Sequence, residues 1–168
     1  MKRIIPIIMG SDIDLKFAER MGNKLKEFSE EYSVELPFKY RVGSADKTPK
    51  HVIEIVSYYD GNFDEVVYGT IAGRANALSG FVSGQTPNPV IACFPYEDKV
   101  DIVMDIWSNF RKPSNIYPLL APGPKQAALA AISIFSIHDP ELAEALRDYK
   151  DKVAGKIIEA DKKIRGKI

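Results

Sequence analysis

The sequence predicts an α/β fold: a flavodoxin-like three-layer sandwich, with a parallel sheet between helices and a long C-terminal helix. Three observations lead there. Apolar strand-length runs alternate with helix-period segments along the whole chain, the pattern that gives parallel sheets flanked by helices. Three of the runs end in small or hydroxyl-bearing residues just before a helix begins. Neither an internal repeat, a low-complexity tract nor an interdomain linker interrupts the alternation, so one domain is expected over residues 1–168. That length fits a single core, since domains commonly run roughly 100–200 residues.

Strands are expected at 3–9, 36–42, 65–71, 89–94 and 116–120. The first helix, about 14–29, repeats Leu15, Ala18, Met21, Leu25 and Phe28 on one stripe, the period of an amphipathic helix. A second near 50–59 uses Val52, Ile53, Val56 and Tyr59, and others follow near 74–84, 99–110 and 124–137. Lys99 to Lys112 interrupts two strands, as a cover over a site does, and Trp107 within it is expected to pack. His138 stands at a break between helices, where it is expected to cap. Pro140 opens a charged helix reaching Ile168. From Lys150 onward its apolar side is Val153, Ile157 and Ile158, which meets either its own core or a neighbouring subunit.

The strand ends carry the chemistry. The first strand runs into Gly10-Ser11-Asp12-Ile13-Asp14. Gly10 permits a sharp turn, and the helix start that follows offers free N–H groups to an anion. No Gly-Lys-Ser/Thr follows and the G-x-G-x-x-G spacing is absent, which excludes a Walker A loop and a dinucleotide fingerprint. Asp12 reads as an N-cap or first-turn acid. Asp14 is either another such acid or an acceptor for sugar hydroxyls. The second strand, with Phe38, Tyr40 and Val42 on one face, runs into Gly43-Ser44-Ala45-Asp46-Lys47-Thr48-Pro49. That segment supplies two hydroxyls, a positive charge and a proline suited to an early helical position. The third runs into Ala72-Gly73-Arg74-Ala75-Asn76-Ala77-Leu78, where small residues let backbone approach a ligand. Each reads alone as an ordinary helix start. Three in one small sheet point to a shared phosphate-bearing site at the carboxyl edge.

Together these segments resemble the 5-aminoimidazole ribonucleotide carboxylase family of purine biosynthesis. The residues are Met9-Gly10-Ser11-x-x-Asp14, Ser44-Ala45-x-Lys47 and Ala72-Gly73-Arg74-x-Asn76-x-Leu78. The resemblance runs nearly the full length, through Pro89 to Cys93, Asp105-Ile106-Trp107-Ser108, Arg111-x-Pro113-Ser114 and the alanine-rich helix after Pro124. One branch of the family rearranges an N-carboxylated intermediate, and the other uses carbon dioxide directly. The Ala-Gly-Arg-x-Asn and Trp107-Ser108…Arg111 segments resemble the direct branch. The mutase branch has a glycine-rich run ending in histidine where this chain has Ala77.

The resemblance implies carboxylation of 5-aminoimidazole ribonucleotide by carbon dioxide without ATP, biotin or metal, hence no cofactor, in a homo-octamer. Ser11, Asp14, Ser44 and Lys47 would then meet phosphate and ribose. Ala72, Gly73, Arg74, Asn76 and Leu78 would wall the ring and its carboxylate, Arg74 by two-point binding. Three positions depart from the family. Asp46 stands where the family has its proton-transferring histidine, Ile13 where it has a second serine, and Asn115 where a turn has glycine. Asp46 is by position the proton carrier, although an ordinary aspartate has a pKa of about 3.9 and needs burial to raise it. The alternatives are a catalytically silent nucleotide-binding protein, or a carboxylase or decarboxylase for a different heterocyclic nucleotide.

Composition narrows the class. Lys plus Arg and Asp plus Glu number 23 each, so no basic excess points to nucleic acid. Hydrophobic residues make up 45% and charged residues 27%, ordinary globular values. No apolar run approaches the roughly 20 residues of a membrane helix, and Lys2-Arg3 before a short strand is not a signal-peptide layout. Cys93, the single cysteine, is expected as a buried small hydrophobe, which fits a reducing cytoplasm. His51 reads as a surface residue, and two separated histidines with one cysteine form no metal constellation.

Overall fold

A computed structural model of the chain describes residues 1–95 and 99–166, with the backbone alone for residues 99–102 and 104. It comprises two compact units, Met1–Ala131 and Ile132–Ile168. The first holds the sheet. Strand β1 (Arg3–Met9) lies between β2 (Phe38–Val42) and a pair of segments on its other side, β3 (Glu65–Val66) and β4 (Tyr68–Ile71). Beyond β4 come β5 (Val90–Cys93) and β6 (Leu119–Leu120), and every pairing is parallel. The expected parallel sheet is therefore present.

Helices α1 (Leu15–Tyr32), α2 (Pro49–Asn62), α3 (Ala77–Ser83) and α4 (Lys99–Phe110) make the crossovers. The chain leaves β1 outward to β2, then returns past β1 to β4 and continues to β5 and β6. With right-handed crossovers that reversal puts α1 on one face and α2, α3 and α4 on the other.

The strand expected over 65–71 is split at Val67, and Pro6 explains the split. Alternate residues of β1 face alternate neighbours. The Ile5 N–H donates to the Pro37 carbonyl at 2.9 Å, while the Ile4 carbonyl accepts from the Val67 N–H at 3.2 Å. Pro6 is next in line to donate toward Val67, and proline has no N–H. The register survives the gap: Ile4 pairs with Val66 before it and Ile7 with Gly69 after it.

Two helical stripes shift by a residue or two. In α1 the buried set is Phe17, Ala18, Met21, Gly22, Leu25 and Phe28, while Leu15 is exposed at the first turn. In α2 it is Val52, Ile55, Val56 and Tyr59, a complete i, i+3, i+4, i+7 set from which Ile53 falls away. Val42, at the last position of β2, is exposed. Trp107, expected to pack, is 62% exposed and touches the Phe110 ring edge-on at 6.3 Å between centroids.

Helix α5 (Pro124–Phe135) precedes α6 (Pro140–Arg165). The cap between them is Asp139, whose Oδ1 accepts from the Leu142 N–H at 3.0 Å. His138 is not the cap: its backbone N–H folds back on the Phe135 carbonyl at 3.3 Å. A short carboxylate reaches the first-turn N–H groups directly. The α6 helix ends at Arg165, and residues 167–168 of the expected span lie outside the described residues. Val153, Ile157 and Ile158 are exposed along it.

One polar group is pinned inside the first unit. The fully buried Tyr68 hydroxyl lies 2.7 Å from Asp60 Oδ1 and 3.0 Å from the Val56 carbonyl, and Asn88 Nδ2 donates to the same Asp60 oxygen at 3.0 Å. This ties β4 to α2 and to the turn before β5. Tyr68→Phe should therefore cost about 1–3 kcal/mol, read as a lower urea midpoint at unchanged m. Burial and the Asp60 carboxylate push the phenol far above its ordinary value of 10.0. The folded state thus holds that proton more tightly than the unfolded chain, and stability falls as pH rises above 10. Urea titrations at alkaline pH should show a shallower loss in Tyr68→Phe.

Candidate functional site

Three strand ends are forced together by register. Met9 pairs with Val42 on one side and Ile71 on the other. The ladder continues one residue into each loop. Gly43 N–H donates to the Met9 carbonyl and Gly10 N–H to the Ile71 carbonyl, both at 2.9 Å, and Ala72 N–H to the Cys93 carbonyl at 3.3 Å. Crossovers from β1 and β4 depart in opposite directions, so these ends open the crevice where ligands of open α/β sheets bind. A Cβ on Gly10 would lie 3.3 Å from Ala72 Cβ and 3.8 Å from Asp14 Oδ2. Gly10 and Ala72 are thus small because two loops touch. Gly10 is not at positive φ, so close approach, not a special turn, is what requires glycine there.

In the first loop, Ser11 rather than Asp12 is the N-cap. Its Oγ accepts from the Ile13 N–H at 3.4 Å and donates to Asp12 Oδ1 at 3.0 Å, closing the turn Asp12–Asp14. Ile13 is exposed. Asp14 is half-buried, and burial, then the charge of Asp12, push its carboxyl above the usual aspartate value, against the Ser11 backbone bond that lowers it.

The second loop closes on itself. Thr48 Oγ1 accepts from the Ser44 N–H at 2.9 Å, and Ser44 Oγ accepts from the Lys47 N–H at 3.2 Å. Asp46 and Lys47 are exposed at its tip.

The third loop is strained and clamped. Arg74 and Asn76 both have left-handed backbones, at φ 59° and 37°, a cost of order 1–2 kcal/mol per non-glycine residue. Helix α4 and the chain after it hold the loop there. Ser108 Oγ shares its one proton between the Asp105 carbonyl at 2.8 Å and the Arg74 carbonyl at 3.1 Å, while Asn76 Nδ2 donates to Asn109 Oδ1 at 2.6 Å and Lys112 Nζ to the Asn76 carbonyl at 2.7 Å. Asn76 Oδ1 also accepts the Ser79 N–H at 3.3 Å. Both ends of the buried Asn76 amide are thus occupied within the protein, and Leu78, 2% exposed, belongs to the core. These two residues shape the expected wall from behind.

A cleft of about 430 Å³ opens between the second and third loops, α3 and the end of α4. Ala45, Asp46, Ala75, Ala77, Gly80 and Phe81 line one side, and Ser108, Arg111, Lys112, Pro113 and Ile116 the other. Of the residues singled out in the sequence, Asp46 faces this cleft. Ser11, Asp14, Ser44, Lys47, Ala72, Gly73, Arg74, Asn76 and Leu78 do not line it, although their neighbours Ala45, Ala75 and Ala77 do.

Asn109 and Lys112 escaped the sequence reading. Their signal is faint: a polar run one helical turn apart, beside the Arg111-x-Pro113-Ser114 segment. Lys112 is half-buried, and desolvation pushes its amine below the ordinary lysine value. The histidines stand elsewhere, with exposed His51 placing Nδ1 3.4 Å from Glu54. The buried Cys93 thiol is pushed up to about 12 by burial. Among the described residues no cluster of His, Cys, Asp and Glu could hold a metal, and no helix is long and apolar enough to cross a membrane.

Comparison with known proteins places this geometry. The family model described as AIR carboxylase matches residues 4–156. The phosphoribosylaminoimidazole carboxylase of Treponema denticola is 42% identical, over 98% of this chain and 99% of that protein. That of Archaeoglobus fulgidus is 39% identical over 95% and 83%. The N5-carboxyaminoimidazole ribonucleotide mutase of Methanocaldococcus jannaschii is 38% identical over 96% and 98%. The crystal structure of Treponema denticola PurE superposes with a TM-score of 0.87, covering 96% of this chain and 98% of that one.

The raised Asp14 carboxyl makes a prediction about the unliganded protein. The folded chain binds this proton more tightly than the unfolded chain, so stability falls as pH rises above 3.8. Asp14→Asn removes the half-buried charge. Its melting temperature at neutral pH should exceed that of the parent, with a flatter dependence over the range just above pH 3.8. Thermal unfolding across that range checks it, and a lower melting temperature at neutral pH contradicts it.

Proposed function

The chain belongs to the AIR carboxylase family, and we propose that it carboxylates 5-aminoimidazole ribonucleotide with carbon dioxide to 4-carboxy-5-aminoimidazole ribonucleotide in purine biosynthesis. The observation that carries this reading is the convergence of three loops at the sheet's switch point, next to a largely apolar cleft. Ala77, where the mutase branch has histidine, favours direct use of carbon dioxide.

The chemistry assigns each loop a task. Ser11, Asp14, Ser44 and Lys47 hold phosphate and ribose, with Lys47 supplying the charge. Ala72, Gly73 and Arg74 border the ring, backed by Asn76 and Leu78. The ring carbon beside the exocyclic amine attacks the carbon of carbon dioxide. A carbon–carbon bond forms, one C–O π pair moves onto oxygen as carboxylate, and the ring proton leaves to a base. Asp46 is that base by position. Small apolar walls at Ala45, Ala75 and Ala77 suit carbon dioxide. Orientation and desolvation then supply much of the rate, with no cofactor needed. We place the protein in the cytoplasm, as a homo-octamer joined partly through Val153, Ile157 and Ile158.

A second reading has a specific observation behind it. Asp46 is exposed and makes no hydrogen bond among the described residues, which leaves open a nucleotide-binding protein without turnover, or one that acts on another heterocyclic nucleotide.

A spectroscopic assay of purified protein with 5-aminoimidazole ribonucleotide and bicarbonate should show carboxylation. Asp46→Asn should lower kcat by about 100-fold or more, the usual worth of a general base. If the parent and Asp46→His both bind the nucleotide without turnover, the silent reading holds. If neither binds it, the substrate is a different ring. Native mass spectrometry should give eight copies of the 18.8 kDa chain, and Ile157→Asp should shift the population to smaller species.

A further inference from the structure

Lys112 is out of place for an ordinary lysine. It is half-buried beside α3, where a Cβ on Gly80 would lie 3.5 Å from its Cδ and 3.7 Å from its Nζ. No carboxylate lies within ion-pair distance of it among the described residues. Its one hydrogen bond there goes to the Asn76 carbonyl at 2.7 Å. An ammonium has three donors, so two protons remain for whatever enters the cleft that Lys112 lines. Burial works against the charge, and an arriving anion would relieve that cost. Arg111, the other cation on this wall, is exposed. Arg74, expected to take the carboxylate, is exposed and does not line the cleft.

Resting on the carboxylase reading, we propose that Lys112 is the specificity-determining cation that receives the ring-borne carboxylate of the carboxylated ribonucleotide. The Asn76 carbonyl fixes its position. The loop that walls the ring therefore also aims the ammonium, and the small side chains of Ala45, Ala75 and Ala77 leave room in the cleft for the carboxylate. The uncarboxylated ribonucleotide has no anion at that position, so Lys112 discriminates product and the carboxylating transition state from substrate.

The test is titration calorimetry of the full-length protein with each of the two ribonucleotides separately. Lys112→Met should weaken binding of 4-carboxy-5-aminoimidazole ribonucleotide at least 10-fold and leave 5-aminoimidazole ribonucleotide within 2-fold. Lys112→Gln keeps a donor for the Asn76 carbonyl without the charge, and guards against misfolding of the methionine variant. It should show the same selective loss, while Lys112→Arg should recover most of it. Equal weakening of both ligands in Lys112→Gln would mean a merely structural role and overturn the proposal. Unchanged binding of the carboxylated ligand would overturn it too. A parent protein that binds neither ribonucleotide overturns the carboxylase reading, and Lys112's role with it. That outcome is read on the parent alone, so the two failures are distinguishable.

Discussion

The register of β1 between β2 and β4 is the constraint on which the site depends. Met9 is level with both Val42 and Ile71, so three loops begin at one height. Parallel strands rise about 3.3 Å per residue. A two-residue slip of β1 would thus move Gly10 by about 6.6 Å and separate it from Ala72. Such a slip preserves the inside–outside pattern of a strand buried on both faces. What resists it is side-chain fit and the two backbone bonds, Gly43 N–H to the Met9 carbonyl and Gly10 N–H to the Ile71 carbonyl, that carry the ladder past the end of β1. Pro6 contributes in an unexpected way. By deleting one donor it marks a unique position on β1, so a slipped pairing would put the missing bond against a different carbonyl.

The third loop is set from outside its own sequence. Two left-handed non-glycine residues within three positions cost of order 1–2 kcal/mol each. The hydrogen bonds with Asn109 and Lys112, at about 0.5–1.5 kcal/mol each, and a shared one from Ser108 offset a large part of it. Near balance has a consequence. The loop keeps its shape only while α4 stays docked, so the segment read in the sequence as a cover acts as a brace for the wall of the site.

The sequence shows the sheet, its order of elements and the loops that bear the chemistry, because apolar alternation and small residues at strand ends are local signals. Ile55 and Phe17 are buried where Ile53 and Leu15, two positions away, were expected, because residues at the edge of a stripe fit a helical period almost as well as those at its centre. The division at Val67 was readable in principle, since Pro6 lacks a donor. It required knowing which side of β1 residue 6 faces, which is pairing information. Asn76 looked like a ligand-facing residue from its motif. Its commitment to Asn109 and Ser79 is a tertiary fact. Lys112 had only a faint local signal: a lysine between arginine and proline reads as surface until α3 is laid against it.

For the proposed reaction, Asp46, which stands where the family resemblance puts a histidine, is better understood with Lys112 than alone. An imidazole can leave the cleft neutral, whereas a carboxylate at the same position adds a negative charge beside the place where a second carboxylate must form. Repulsion at 4 Å is about 1 kcal/mol in water and about 4 kcal/mol at the effective dielectric near a protein surface, enough to slow carbon–carbon bond formation severely. A cation on the opposite wall removes most of that penalty, provided it is not already neutralised by an acid of its own. Lys112 meets this condition among the described residues. Its single bond goes to a neutral carbonyl, which positions the charge without consuming it. On the proposed carboxylation, Asp46 and Lys112 would work as a pair lining one cleft, the carboxylate for the departing ring proton and the ammonium for the carboxylate that replaces it.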